Sequence, residues 1–105
     1  MTLEALENAL LELGVPVFHY FAFGQTGNYI VWAEDSEGQS LHADNVKTGQ
    51  VIQGTIDYFT KTENDPLVKQ IQDKLNEVEI SWRLNDIFRE DDTGYIHYEW
   101  VFEVI

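Results

Sequence analysis

Three histidines are the residues of this chain best suited by type to metal binding or proton transfer. They are His19, His42 and His97. Zinc sites that can be recognised in a sequence place histidines one helical turn apart or on either side of a short loop. The three histidines are widely separated, so their spacing predicts no metal site. We interpret them as polar residues on the solvated side of a sheet.

Acidic residues cluster in two turns that have part of the composition of a calcium loop. One turn contains Asp35 and Glu37, and the other contains Asp91 and Asp92 before Gly94. An EF-hand loop requires about five ligand positions in a frame of about 12 residues that ends in glutamate. Neither turn supplies them, and aspartate before glycine is equally typical of a hairpin turn. The sequence therefore predicts no bound metal.

Carboxylates on neighbouring strands are a further arrangement that supports chemistry, because a paired acid and base can transfer protons. Asp57, Glu99 and Glu103 fall in segments with strand character and would form such a set if those strands are neighbours. No pattern places them in a cleft, and with 19 acidic residues some lie close together by chance. The chain has no cysteine, and its serines lie in no nucleophile elbow. We predict a protein that is not an enzyme, with no catalytic residue and no cofactor.

The balance of charge limits the partners. The 105 residues include 19 acidic and 6 basic side chains, which gives a formal net charge of -13. Nucleic acid and anionic membranes would be repelled, so we predict neither as a partner. All basic residues lie at Lys47 or later, and the first 46 residues carry 7 acids and no base. We expect a single domain, 1–105, and the absence of cysteine is typical of a reducing cytoplasm.

Two segments have the apolar periodicity of amphipathic helices. The first begins after Thr2, whose hydroxyl can cap the first turn, and ends before Gly14. Its apolar stripe consists of Leu3, Leu6, Leu10 and Leu13. The second begins at Asp65 and Pro66, with the aspartate as cap and the proline in the first helical position. Its stripe consists of Leu67, Val68, Ile71, Leu75 and Val78.

The remaining segments alternate apolar and polar residues, which is typical of strands with one buried face. The clearest is a hairpin of Ser81–Arg89 and Tyr95–Ile105, joined by an acidic turn. Its buried face consists of Ile96, Tyr98, Trp100, Phe102 and Val104. Val17–Phe23 and Tyr29–Glu34 predict a second hairpin with a longer loop between its strands.

Two further segments complete the predicted sheet. Gln50–Lys61 has strand character, and Gly54 in its interior predicts a bulge or the close approach of another backbone. Gln39–Asn45 predicts a short edge strand or an ordered loop. We therefore predict an α+β fold: an antiparallel sheet of about five strands with the two amphipathic helices packed on one face.

The segments Gly94–Val104, Ser81–Asn85 and Ile52–Lys61 carry a family resemblance. They resemble a small protein encoded in the head-to-tail gene module of tailed phages and prophages of Gram-positive bacteria. The order of helices and strands is similar to that of phage tail terminator, or tail completion, proteins. The resemblance implies a structural protein of virion assembly, of the tail terminator or head-tail joining type.

Such a protein would form a ring, a hexamer, that ends growth of the tail tube and meets the head connector. The partners that the resemblance implies are further copies of the chain, the tail tube protein and the head connector protein. The location it implies is the host cytoplasm during assembly and then the tail or neck of the virion.

Two parts of the chain are predicted to form protein interfaces. The segment Asp35–Gln50 is a candidate for a loop that becomes ordered on assembly, and the outer face of the C-terminal hairpin is a surface open to another subunit. The predicted interface residues are Leu41, His42, Val46, Tyr95 and His97. The alternative hypothesis is an acidic inhibitor that mimics DNA and occupies the basic groove of a host nucleic-acid-binding protein. Rows of carboxylates spaced like backbone phosphates would distinguish the mimic from the ring subunit.

Overall fold

The computed structural model describes residues 2–38, 42–43, 46–47 and 49–104, with the backbone alone at 42–43 and 46–47. The elements within these residues are α1 (Leu3–Leu11), β1 (Val17–His19), β2 (Tyr29–Glu37), β3 (His42–Ala43), β4 (Val46–Lys47), β5 (Ile52–Thr60), α2 (Leu67–Glu77), β6 (Ser81–Arg89) and β7 (Ile96–Val104). Five of the described strands form one sheet in the order β1-β2-β5-β7-β6. The predicted α+β class is confirmed, and the sheet, which was predicted to be antiparallel, is antiparallel except where β1 pairs with β2. Across the described ranges, no helix is long and apolar enough to cross a bilayer.

Both helices lie on one face of the sheet, and the core lies between them and the strands. Leu6 and Leu10 of α1, and Ile71 and Leu75 of α2, are fully buried. They belong to one cluster with the inward-facing strand residues Ile30, Trp32, Ile56, Tyr58, Trp100, Phe102 and Val104. The Trp100 indole of this cluster donates a hydrogen bond to the Gln72 side chain of α2 at 3.1 Å. We call the opposite side of the sheet the open face.

Side-chain caps fix where each helix begins. The Thr2 hydroxyl oxygen accepts a hydrogen bond from the Ala5 N–H at 3.1 Å, so the predicted cap of α1 is confirmed. Asp65 Oδ1 accepts a hydrogen bond from the Leu67 N–H at 2.9 Å. The predicted aspartate cap is therefore present, although α2 begins at Leu67, one residue after Pro66.

The C-terminal hairpin forms as predicted, because β6 and β7 are antiparallel partners along their length. Gly94 closes its turn with a φ of +79°, a left-handed conformation that favours glycine. The Gly94 N–H donates a hydrogen bond to the Glu90 carbonyl at 2.9 Å. A bulge at Asn85 shifts the register of β6 between Leu84 and Asp86.

Gly54 allows the central strands to approach closely. It lies opposite Glu34 on β2 and Phe102 on β7. A Cβ at this position would stand 2.1 Å from the carbonyl oxygen of Ala33 and 2.7 Å from Cζ of Phe102. The predicted close approach is confirmed, and the bulge lies in the facing strand, where the register of β2 shifts between Glu34 and Ser36.

The hairpin predicted from Val17–Phe23 and Tyr29–Glu34 is wrong in its direction. β1 pairs with β2 in parallel, with His19 opposite Trp32. Residues 20–28 must therefore return along the sheet before β2 begins, and we call them the crossover loop. Tyr20 starts the return with a φ of +75°, which is uncommon for a bulky residue, and its N–H donates to the Trp32 carbonyl at 2.8 Å.

The segment predicted as an edge strand or an ordered loop is described in part. β3 and β4 form a short antiparallel pair, in which His42 lies opposite Lys47. β2 continues to Glu37, so residues 35–37, which the sequence predicted to lie in a turn, belong to a strand. Leu41, one of the predicted interface residues, lies outside the described residues.

Candidate functional site

The open face carries a row of aromatic rings across four strands. The row consists of Tyr29 on β2, Phe59 on β5, His97 on β7 and Phe88 on β6. Its ring centroids are 4.6 Å apart for Tyr29 and Phe59, 4.2 Å for Phe59 and His97, and 4.6 Å for His97 and Phe88. Cross-strand ring contacts of this kind stabilise the sheet and give the open face a stiff surface.

The crossover loop and the open face together enclose a depression of about 290 Å³. The lining residues are Tyr20, Phe21, Ala22, Tyr29, Val31, Asp57, Phe59 and His97. Tyr95, which is 5% exposed, holds the loop in place. Its hydroxyl donates to the carbonyl oxygens of Gln25 at 3.1 Å and Gly27 at 2.7 Å. We call this site the crossover depression.

Asp57 and His97 form the polar part of the crossover depression. Asp57 Oδ1 lies 2.7 Å from His97 Nε2. Because a carboxylate can only accept, Nε2 carries the proton and donates it. The two side chains are 17% and 13% exposed. His97 Nδ1 has no hydrogen-bond partner among the described residues, and a carboxylate oxygen of Glu90 lies 3.9 Å from it. Asp57 thus presents a fixed carboxylate beside the aromatic row.

Carboxylates form a second row on the open face. Asp57 lies opposite Glu99, and Glu99 lies opposite Asp86, so the row crosses three adjacent strands. The Asn85 side-chain amide donates to Glu99 at 2.8 Å. Of the carboxylates considered from the sequence, Asp57 and Glu99 are therefore neighbours, whereas Glu103 lies further along β7. The row is a strip of negative charge next to the crossover depression.

A separate polar cluster lies at the β1 edge of the sheet. His19 Nε2 lies 2.7 Å from Glu34 Oε1, and the Tyr20 hydroxyl donates to the same oxygen. The hydrogen bond from Tyr20 lowers the pKa of Glu34 below its usual range, against the opposing effect of partial burial. The His19 ring also stacks on Trp32, with centroids 3.9 Å apart. These contacts fix the turn at which the crossover loop leaves the sheet.

β6 is an edge strand with apolar side chains on both of its faces. Within the described ranges, it pairs with β7 and with no second strand. Leu84 and Ile87 lie on the helix face and Phe88 on the open face, and they are 40%, 51% and 41% exposed. Arg83 and Arg89, the two arginines of the chain, lie on the same strand. An edge with exposed apolar side chains is a surface to which another chain can add.

The predicted interface residues fall in different parts of the fold. His42 on β3 and Val46 on β4 are described by their backbone alone, and Leu41 is not described. Tyr95 is packed under the crossover loop and is 5% exposed, so it offers little surface to a partner. His97 lines the crossover depression. The assignment of these residues to an interface stays a prediction. In the part of the chain that the structure describes, no group of three or more histidine and carboxylate side chains is placed to hold a metal ion.

Sequence reasoning missed the Asp57–His97 pair and the crossover loop. The two residues are far apart in sequence, and only the register of β5 with β7 brings them together. One signal was present in the sequence. The aromatic run Phe18–Phe23 continues well past the end of β1 into a loop, where such side chains are not needed for a strand.

Comparison with known proteins adds no family. The chain matches no known protein-family model, and no curated protein matches its sequence. Its function is therefore inferred from the crossover depression, the β6 edge and the distribution of charge.

Proposed function

We propose that this chain is a structural subunit of a phage or prophage virion, of the tail terminator or head-tail joining type. It forms a ring that ends tail tube growth and meets the head connector. The observation that carries the proposal is the β6 edge, Ser81–Arg89, with its exposed apolar side chains. The resemblance of the C-terminal hairpin to such proteins supports the class, and the edge supplies a means of assembly.

The β6 edge suits a specific contact better than an indiscriminate one. Covering the exposed parts of Leu84, Ile87 and Phe88 would contribute roughly 1 kcal/mol each. Backbone hydrogen bonds along the edge would fix the direction and register of the added chain. The bulge at Asn85 and the charge of Asp86 are features by which proteins keep edge strands from pairing with any strand they meet. The free subunit can therefore stay soluble until it meets a complementary surface.

Charge favours a head-to-tail contact between copies. β6 carries both arginines, whereas the first 46 residues carry 7 acids and no base. A shallow cavity at the β1 edge is lined in part by Glu4, Glu7 and Glu34. Contact between the β6 edge of one copy and the acidic β1 edge of the next is heterologous, and heterologous contacts close into rings when the rotation permits. Six is the number of subunits that the resemblance implies.

Native mass spectrometry and light scattering test the proposal on the full chain, alone and with the tail tube protein encoded in the same genome. We expect a ring in at least one of these conditions, and a strict monomer in both would contradict the proposal. Replacing Leu84 and Ile87 together by serine should abolish assembly while Tm changes little, because both side chains are exposed. Lys69→Ser is the control: the Lys69 side chain is 79% exposed on α2, outside both the β6 edge and the acidic β1 edge, and its loss should leave assembly intact.

The carboxylate row of Asp57, Glu99 and Asp86 is the observation that favours the alternative, an acidic DNA mimic. A protein that mimics DNA needs rows of carboxylates that follow both phosphate backbones of a duplex. The row on the open face is short and crosses only three strands. Recovery of a basic DNA-binding protein from host lysate, bound to a monomer of this chain and displaced by duplex DNA, would support the mimic over the ring.

A further inference from the structure

We infer that the crossover depression is a binding site for the side chain of an arginine that a partner protein presents. This site lies on the open face, and the inference holds whether or not copies of the chain meet at β6. Aromatic ring faces beside a fixed carboxylate are the combination that recognises a planar cation. The crossover depression provides both within one volume of about 290 Å³.

Aromatic rings form much of the wall of the depression. Phe21 reaches it from the crossover loop and is 65% exposed. Tyr29 and Phe59 line it from the sheet, and because Phe59 is stacked on both Tyr29 and His97, the exposed Phe21 ring is the one whose face can receive a cation. A guanidinium is planar and less strongly hydrated than an ammonium group, so it stacks on such rings with a smaller loss of hydration. The walls therefore favour arginine over lysine.

Asp57 supplies the charge. One of its oxygens accepts the hydrogen bond from His97, and a carboxylate has further lone pairs that can accept guanidinium N–H groups. None of the eight described residues that line the depression is a lysine or an arginine. The carboxylate of Glu99, directly opposite Asp57 on β7, adds negative charge nearby. The depression thus lacks a permanent cation of its own.

The same aromatic cluster already holds a cation within the chain. Lys61 Nζ lies 4.7 Å from the centroid of the Tyr95 ring. Tyr95 in turn contacts Tyr29 and Phe59 edge to face, with centroids 5.6 Å and 6.0 Å apart. This internal contact supports the use of neighbouring rings for a cation that comes from outside.

The surroundings of the depression indicate a protein as the source of the cation. The Phe21 and Phe23 rings contact each other beside the site, with centroids 5.2 Å apart, and Phe23 is 79% exposed. Exposed aromatic side chains in contact are typical of surfaces that a partner protein covers. The formal charge of -13 attracts a basic partner at long range. Tyr20, held in the left-handed region at the start of the loop, is a strained residue of the kind found at binding sites.

The test is an NMR titration of the ¹⁵N-labelled full chain with the peptide Gly-Ser-Arg-Ser-Gly. The chemical shifts of the backbone amides are recorded as the peptide is added. We expect saturable shifts centred on Phe21, Ala22 and Asp57. The same peptide with citrulline, a neutral isostere of arginine, should bind at least about tenfold more weakly because both the ion pair and the cation–π contact are lost. Shifts spread evenly over all acidic surfaces, or equal binding of the citrulline peptide, would overturn the inference.

Variants separate the site from its surroundings. Phe21→Ala should weaken binding of the arginine peptide several-fold without lowering Tm, since the Phe21 side chain is largely exposed. Phe23→Ala removes a similarly exposed ring from the same loop that does not line the depression, and it should change binding less than about twofold. Asp57→Asn should weaken binding about tenfold. Unchanged binding by both Phe21→Ala and Asp57→Asn would place the peptide elsewhere.

Two other occupants give different results. Tetramethylammonium that binds as tightly as the arginine peptide would identify a site for small cations and overturn the choice of a protein partner. The chain could also bind an arginine of a second copy of itself. Self-association would then shift the same amides without peptide, and Arg89→Gln would abolish those shifts; this result would overturn the choice of a separate partner protein. The ring proposed above has its own test by mass spectrometry, so neither of these two results decides whether the chain assembles through β6.

Discussion

The Tyr58 hydroxyl of β5 donates a hydrogen bond to Asp65 Oδ2 at 2.6 Å, at the junction between the central strand and α2. The Thr60 hydroxyl donates to the same oxygen at 2.7 Å, and the Leu67 N–H donates to the other oxygen. Burial opposes ionisation of Asp65, but these three donors outweigh it and lower the pKa of the carboxyl. Burial, reinforced by Asp65, raises the pKa of Tyr58. One carboxylate therefore joins the end of β5 to the start of α2.

Asp65→Asn should lower the free energy of unfolding by about 2 kcal/mol at neutral pH, because hydrogen bonds to a charged acceptor and a helix cap are weakened together. Urea denaturation followed by tryptophan fluorescence measures the change. Asp73→Asn is the control: Asp73 pairs with Lys69 on the exposed side of α2, and its loss should cost no more than about 0.5 kcal/mol. Equal effects of the two substitutions would argue against a special role for Asp65.

The contribution of Asp65 should depend on pH in one direction. Its pKa is lower in the folded chain than in the unfolded chain, so its stabilisation is fully present above the unfolded value of about 4 and is lost as the pH falls through the folded value. The stability difference between the wild type and Asp65→Asn should therefore shrink in acid below about pH 4. Paired denaturation curves at several pH values measure it, and a difference that stays constant or grows in acid would contradict the assignment.

Gly54→Ala should destabilise the fold by at least about 2 kcal/mol, because overpacking of this kind forces strands apart. The added Cβ would meet the Ala33 carbonyl, a backbone atom that cannot rotate away, as well as the Phe102 ring. Gly27→Ala is the control, since a Cβ at Gly27 meets nothing within 4 Å. That substitution should be neutral or slightly stabilising. Thermal denaturation of both variants compares them directly.

The elements that the sequence predicted well are those whose signal is local. The cap at Thr2, the aspartate before Pro66 and the alternation of the C-terminal hairpin all act through residues close together in the chain. Gly54 indicates a close approach by its type alone, because glycine weakens a strand interior and is tolerated there mainly at bulges and where another backbone comes near. Element type and the buried face therefore followed from periodicity and capping alone.

The features that were missed depend on strand direction and register. Alternation is the same in parallel and antiparallel strands, so the pattern from Val17 onward could not show that β1 pairs in parallel. Parallel connections normally need a dozen or more residues, and residues 20–28 are fewer. The contact between Asp57 and His97 is diagonal across β5 and β7, which requires the register to be known. The geometry of the crossover depression therefore could not be derived from the sequence, although the aromatic run Phe18–Phe23 was a signal for the loop that lines it.

Tyr95→Phe should loosen the crossover loop while the core stays folded. The phenylalanine keeps the ring contacts with Tyr29 and Phe59 but leaves the carbonyls of Gln25 and Gly27 without their donor, which should cost about 1–2 kcal/mol. Amide hydrogen exchange should show faster opening of residues 20–28 and unchanged protection of β5 and β7. Tyr98→Phe is the matched control, because the described hydrogen bonds include none from the Tyr98 hydroxyl.

The same two variants test whether the anchored crossover loop contributes to binding of the arginine peptide. If it does, the affinity for the peptide should fall in Tyr95→Phe and not in Tyr98→Phe. The same affinity in both variants would mean that binding does not require the Tyr95 hydroxyl to anchor the loop.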